Sequence, residues 1–180
     1  MGLQFELSER IRGLMMNEVG YDQARGALYL SKRFSERGRV EYAEILGGVV
    51  RGADDDTLAA QLRARGCFGE TETSHSKTGK LIIKKVPINA ADTFAEGEFN
   101  RFYVRAVCLA AIEDGHGKVE VYRARYSENP RIESEALIGR MIDAQQLLED
   151  LRTNIGVDTC LGLPPGPNSG LSARLPIANR

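Results

Sequence analysis

The chain has 180 residues, of which 42% are hydrophobic and 27% are charged, and its formal net charge is −1. This composition supports a buried core and excludes a wholly disordered chain. The near-neutral charge gives no support to a protein that grips nucleic acid mainly through phosphates. Its three cysteines, Cys67, Cys108 and Cys160, form no C-x-x-C pair. Neither a disulfide framework nor a metal site is therefore predicted, and no cofactor is expected.

The first residues, MGLQFELSERIRG, lack the apolar stretch of a signal peptide. No run of 18 apolar residues occurs that could cross a membrane. We therefore expect a cytoplasmic protein without a membrane partner.

Residues 1–68 are predicted to form an N-terminal helical part. Ser8 is placed to cap a helix through Met16, and Gly20 to end it. Asp22 is placed to cap a second helix that Gly38 ends.

Two further helices are predicted before residue 68. Apolar residues recur at helical spacing between 40 and 49, and three aspartates at 54–56 then mark a new helix start, with Gly66 as its stop. Three adjacent carboxylates cannot converge on one ion from a helical or extended backbone, so we interpret them as capping residues rather than metal ligands.

Residues 69–152 are predicted to form an α+β core. The polar stretch 69–79 is a loop or the start of a hairpin, and LIIKKV at 81–86 is typical of a strand. A long helix with one broad apolar stripe is predicted next. Asn89 and Asp92 suit a capping box at its start, and Gly115 suits its end. With a strand near 119–126, this predicts a βαβ-like unit in a small mixed or parallel sheet packed on the long helix.

The third part, 153–180, is predicted to be an extended arm. Asp143 is placed to cap a last short helix with Gln146, but four of the six prolines and four glycines follow residue 152. Proline and glycine exclude a helix or a central strand there. Interspersed leucines give this arm apolar surface to bury on its own subunit or on a neighbour: Leu161, Leu163, Leu171 and Leu175.

Charged residues of the long helix and the following strand are candidates for a partner interface. Glu98, Arg101 and Arg105 recur at i, i+3 and i+7 on one side of the helix. They suit an anion- or partner-binding edge or, alternatively, an intrahelical Glu–Arg pair. Arg123 and Arg125 lie on one face of the strand and could contact an acidic partner. The aromatic residues among them are interpreted as core.

The cluster of Lys32, Arg33, Arg37 and Arg39 offers an alternative nucleic-acid surface. Acidic residues match basic residues in number over 1–68, so no strong field is expected. Motifs of the phosphate-binding-loop, nucleophile-elbow and zinc-protease types do not occur. The sequence therefore favours a non-enzymatic role, with a hydrolase of unrecognised site as a further alternative.

The run Glu98-Phe99-Asn100-Arg101-Phe102-Tyr103 resembles the acidic-x-Asn-Arg-x-aromatic helix of phage head-morphogenesis proteins of the MuF-like minor head family. The resemblance covers about fifty residues, through Asp143, with the strand and turn after the helix in the places that the family has them. Many members carry paired cysteines after the strand and a His/Cys-rich ending, where this sequence has GLPPGPNSG. The resemblance implies a structural role in a virion head or connector and transfers no catalytic residue. The leading expectation is thus an assembly protein that binds itself or other structural proteins.

Overall fold

A computed structural model describes residues 2–76, 78–125, 132–155 and 170–176. The elements follow one another along the chain as α1 (Glu9–Ala24), α2 (Glu36–Gly52), α3 (Asp55–Ala64), β1 (Thr71–His75), β2 (Leu81–Lys85), α4 (Ala90–Glu113), β3 (Lys118–Arg123), α5 (Ile132–Glu135), β4 (Met141–Asp143), α6 (Ala144–Thr153) and β5 (Leu171–Arg174). The predicted α+β class is confirmed.

The long helix α4 is the centre of the fold. Helices α1, α3 and α6 pack around it, and strands β3 and β5 cover a further side. Because neighbours surround it, α4 buries residues on all its faces and not only on the predicted apolar stripe. The aromatic residues Phe99, Phe102 and Tyr103 are fully buried, as predicted.

All strand pairs in the described chain are antiparallel. Strands β1 and β2 form a hairpin, and β3 lies between β4 and β5 in a separate three-stranded sheet. The predicted βαβ-like unit is therefore wrong, because β2 and β3 flank α4 in sequence without sharing a sheet. The alternative that 69–79 begins a hairpin is confirmed.

Local capping signals set most helix starts. Ser8 accepts a hydrogen bond from the Ile11 amide, Asp54 from the Thr57 amide, and Asp143 from the Gln146 amide, as the sequence predicts. Asn89 precedes α4 but its side chain makes no capping hydrogen bond, so the predicted capping box is absent. Asp92 instead binds Arg63.

The predicted break at Gly20 and the helix after Asp22 are wrong. Helix α1 continues through Gly20 to Ala24, and no helix follows before α2. A glycine in a helix costs only about 1 kcal/mol, and continuation places Asp22 one turn beyond Glu18 on the face that meets α4. Gly38 lies inside α2, where its missing side chain admits the Cys67 carbonyl.

The C-terminal prediction needs correction at residues 171–174. This segment is strand β5, whose first three residues are buried and which pairs along β3. Among the described strands it lies at the edge of its sheet, which does not contradict the predicted exclusion of a central strand. Residues 156–169 and 177–180 lie outside the described chain, and the division into 1–68, 69–152 and 153–180 stays a prediction.

Candidate functional site

The charged residues predicted on one edge of α4 lie inside the fold. Arg105 has 0% of its surface exposed, and Glu98 and Arg101 are also buried. Arg101 Nη2 donates to Glu98 Oε1 at 2.9 Å, which confirms the alternative of an intrahelical pair. The structure thus places these three side chains in the interior rather than on a surface that a partner could reach.

Arg105 is the centre of a buried ionic cluster between α1 and α4. Its Nε donates to Glu18 Oε2 at 2.6 Å, and its Nη1 and Nη2 donate to the two oxygens of Asp22 at 2.7 and 2.9 Å. Arg152 of α6 also donates to Glu18. Burial by itself would raise the pKa of Glu18, but hydrogen bonds from Arg152 and Arg105 outweigh it and lower that pKa. The cluster therefore ties three helices together through charged groups.

A second buried polar group adjoins the first. The Glu98 Oε2, Arg101 Nη1 and Tyr42 hydroxyl atoms are buried without a hydrogen-bond partner among the described residues. Burial raises the pKa of Glu98 to about 7, although the positive charge of Arg101 opposes that rise. Burial raises the pKa of Tyr42 as well. Protonation of Glu98 is therefore linked to folding near neutral pH.

Arg123 ends β3 and Arg125 lies just beyond it, and both face acidic side chains of their own chain. Arg123 pairs with Glu135, and Arg125 pairs with Glu96. Both arginines are partly exposed. An acidic partner would therefore have to displace the carboxylates that already contact these two arginines.

The leucines predicted on the C-terminal arm fall into two groups. Leu171 is buried in β5, and Leu175 packs partly buried against the same core. Leu161 and Leu163 lie outside the described residues. Asn100 of α4 holds β5 in place, because its amide donates to the Leu171 carbonyl at 2.9 Å and its carbonyl accepts from the Ser172 hydroxyl at 2.6 Å.

The basic residues before and within the first turn of α2 are partly neutralised. Arg33 binds Glu72 of β1 through Nε at 2.6 Å, and Arg37 binds Glu41 at 2.7 Å. Each pairing lowers the pKa of its carboxyl group. Lys32 and Arg39 are exposed, so only part of the predicted basic surface is open to phosphate.

The β1–β2 hairpin carries the main exposed apolar surface that sequence reasoning missed. Leu81, Ile82 and Ile83 are 57%, 42% and 70% exposed, and Ile88 just beyond β2 is 98% exposed. We call the three residues of β2, Leu81, Ile82 and Ile83, the hairpin surface. The consecutive apolar residues of LIIKKV are typical of a strand buried in a sheet, which is why the sequence predicts one in a mixed sheet. In the folded chain no described strand covers them.

The hairpin is attached to the body at its base. Phe34 and Phe68 form an isolated antiparallel bridge there, and the Gly69 amide donates to the Arg33 carbonyl at 2.9 Å. Farther out, Arg33 contacts Glu72. A two-stranded hairpin on its own is only marginally stable in water, and these contacts connect it to the body of the fold.

Two observations on the described residues concern cavities and metal ligands. A shallow cavity of about 150 Å³ lies where the end of α3 meets the start of α4, lined in part by Leu62, Phe68 and Ile88. Ligand pockets usually enclose roughly 300–1,000 Å³. Within the described ranges, no group of three or more His, Cys, Asp or Glu side chains is arranged to hold a metal ion.

No protein-family model, curated protein or solved structure matches the chain. Among the described residues, no helix combines the length and apolar character needed to cross a membrane.

Proposed function

We propose that this chain is a non-enzymatic structural or assembly protein that acts through contacts between protein subunits, as a component of a phage head or connector. The hairpin surface carries the proposal. Apolar residues exposed together on a short strand are unusual unless a partner covers them. The resemblance of residues 98–103 to minor head proteins supports the virion setting.

The nucleic-acid alternative has less support from the contacts. Two of its four candidate arginine and lysine side chains already bind carboxylates of their own chain. If nucleic acid were the partner, the affinity of the chain for nucleic acid should fall steeply as the salt concentration rises. It should also fall when Lys32 and Arg39 are neutralised. The hydrolase alternative has no observation among the described residues that favours it.

A shortened hairpin tests the assembly proposal. The Val86 amide donates to the Glu70 carbonyl at 2.9 Å, so these two residues already face each other at the hairpin base. Replacing residues 71–85 by Asn-Gly would close a tight two-residue turn between them. This change removes the ion pair that Glu72 makes with Arg33 of the body and leaves the bridge between Phe34 and Phe68 in place.

Solution mass measured by size exclusion with light scattering, at low and moderate salt, gives the readout. We expect the full chain to form discrete multimers and the shortened chain to be a monomer with an unchanged helical circular dichroism spectrum. Truncation at residue 152 would be a poorer test, since it removes β5 from the core sheet. A full chain that stays monomeric at every concentration, or multimers that persist in the shortened chain, would contradict the proposal.

A further inference from the structure

The outer edge of β2 has a defined set of outward-directed backbone groups. The Ser76 amide donates to the Lys80 carbonyl at 2.8 Å, and the Val86 amide donates to the Glu70 carbonyl at 2.9 Å. Residues 80 and 86 therefore direct their backbone groups toward β1. Because antiparallel partners alternate along a strand, residues 82 and 84 do the same, while residues 81, 83 and 85 direct their N–H and C=O groups away from β1.

The side chains of these three residues also share one face of the hairpin. Side chains alternate between faces along a strand, so Leu81, Ile83 and Lys85 lie together. Ile82 and Lys84 lie on the other face with Glu72, the register partner of Lys84, which binds Arg33. In the described chain no strand pairs with the outer edge of β2.

The sequence of β2 suits pairing with a second copy of itself. When two β2 strands run antiparallel about a two-fold axis at Ile83, all five residues pair. Ile83 then faces Ile83 of the second copy, Leu81 faces Lys85, and Ile82 faces Lys84. Each lysine lies opposite an aliphatic side chain, along which its methylene stem can pack while its amine stays in water.

Neighbouring symmetric registers are disfavoured by charge. Centring the pair on Lys84 puts the two Lys84 side chains opposite each other. Centring it on Ile82 puts Lys80 opposite Lys84. Like charges directly opposite in a sheet are destabilising, and both shifts also shorten the paired segment. The Ile83 register therefore combines the longest pairing with the absence of lysine–lysine pairs.

We propose that two copies of this chain join through β2 across a two-fold axis at Ile83, which makes one four-stranded antiparallel sheet from two hairpins. Leu81, Ile83 and Lys85 supply the outward backbone hydrogen bonds in both copies. A sheet of three or more strands with an apolar face is stable where a lone hairpin is marginal. The contact is isologous, as two-fold symmetry requires. This inference rests on the proposed assembly function and specifies its interface.

A cross-link tests the axis directly. Hydrogen-bonded antiparallel partners have Cα atoms about 5.5 Å apart, within the range of roughly 4.4–6.8 Å that disulfides accept. Ile83→Cys, in a chain carrying Cys160→Ser, should therefore give a disulfide-linked dimer under mild oxidation. Cys67 and Cys108 are buried and remain in place.

Thr73→Cys in the same background is the matched control. Thr73 is the register partner of Ile83 within one hairpin and shares its face. In the proposed sheet, the two copies of Thr73 are three strand spacings apart, about 14 Å, which is too far for a disulfide. We expect at least a tenfold higher yield of cross-linked dimer from Ile83→Cys than from Thr73→Cys.

A charge at the axis supplies an independent measurement. Ile83→Lys should raise the dissociation constant at least tenfold, because two lysines then face each other across the axis, whereas Thr73→Lys should leave it nearly unchanged. Multimers that survive Ile83→Lys and fail to cross-link at residue 83 would overturn the β2 interface while leaving the assembly function in place. A chain that is monomeric throughout would overturn both.

Discussion

The buried arginine of α4 gives the sharpest test of how this fold is held together. Arg105→Met keeps most of the side-chain volume and removes the positive charge. Glu18 would retain Arg152, but Asp22 would lose the only side-chain hydrogen bonds that the described chain gives it. Its carboxylate would then be buried without compensation, and breaking a buried pair in this way costs about 3–5 kcal/mol.

We therefore expect Arg105→Met to lower the free energy of unfolding by about 4 kcal/mol. For a chain of this size, that reduction corresponds to a fall in Tm of roughly 8–16 °C. Urea unfolding followed by circular dichroism measures the change. Adding Asp22→Leu to Arg105→Met removes the stranded carboxylate and should recover much of the stability, because a well-packed apolar replacement can substitute for a buried ion pair.

Arg10→Met is the matched control for removing an arginine ion pair. Arg10 binds Asp114 and Glu113 at the surface, where both partners are well exposed. Solvent screens such pairs, so this change should affect unfolding far less than Arg105→Met. Equal effects of the two single substitutions, or no recovery in the double variant, would refute the reasoning.

Three further predictions concern α4 and α2. The raised pKa of Glu98, about 7 against an ordinary 4.5, means that the folded state binds this proton more tightly than the unfolded state. The free energy of unfolding should thus fall by about 3 kcal/mol as pH rises from about 4.5 to above 7. In urea unfolding, Glu98→Gln should flatten this pH dependence, and an unchanged pH dependence in the variant would contradict the prediction. Asn100→Ala removes two hydrogen bonds to β5 and should lower the free energy of unfolding by about 2 kcal/mol. Amide hydrogen exchange should become faster first in β5, and a uniform increase over the whole chain would contradict the idea that Asn100 holds β5 in place. Gly38→Ala would bring a Cβ atom to 2.1 Å from the Cys67 carbonyl oxygen and should destabilise the fold. Gly48 is exposed in the same helix with open space around it, so Gly48→Ala should raise the free energy of unfolding by roughly 0.5–1 kcal/mol. In thermal unfolding, Tm must fall for Gly38→Ala and rise for Gly48→Ala.

Short-range chemistry in the sequence determined the starts and ends of several elements. A side-chain hydroxyl or carboxylate caps a helix through a contact with an amide only three residues away, which is why the caps at Ser8, Asp54 and Asp143 are predictable from the sequence. Gly66 and Gly115 follow helix ends with positive φ angles, as glycine allows. Apolar spacing likewise identified the aromatic core of α4 and the α+β class.

The tertiary structure decided what depends on residues distant in sequence. Helix α1 continues past Gly20 because Glu18 and Asp22 meet Arg105, more than eighty positions away. The 171–174 segment becomes a strand because β3 and Asn100 offer it hydrogen bonds. Charge spacing alone could not distinguish a surface edge from a buried cluster at Glu98, Arg101 and Arg105. Periodicity reports which residues share a face, but only packing decides what covers that face, so the valines of β3 are buried while the apolar residues of β2 are exposed.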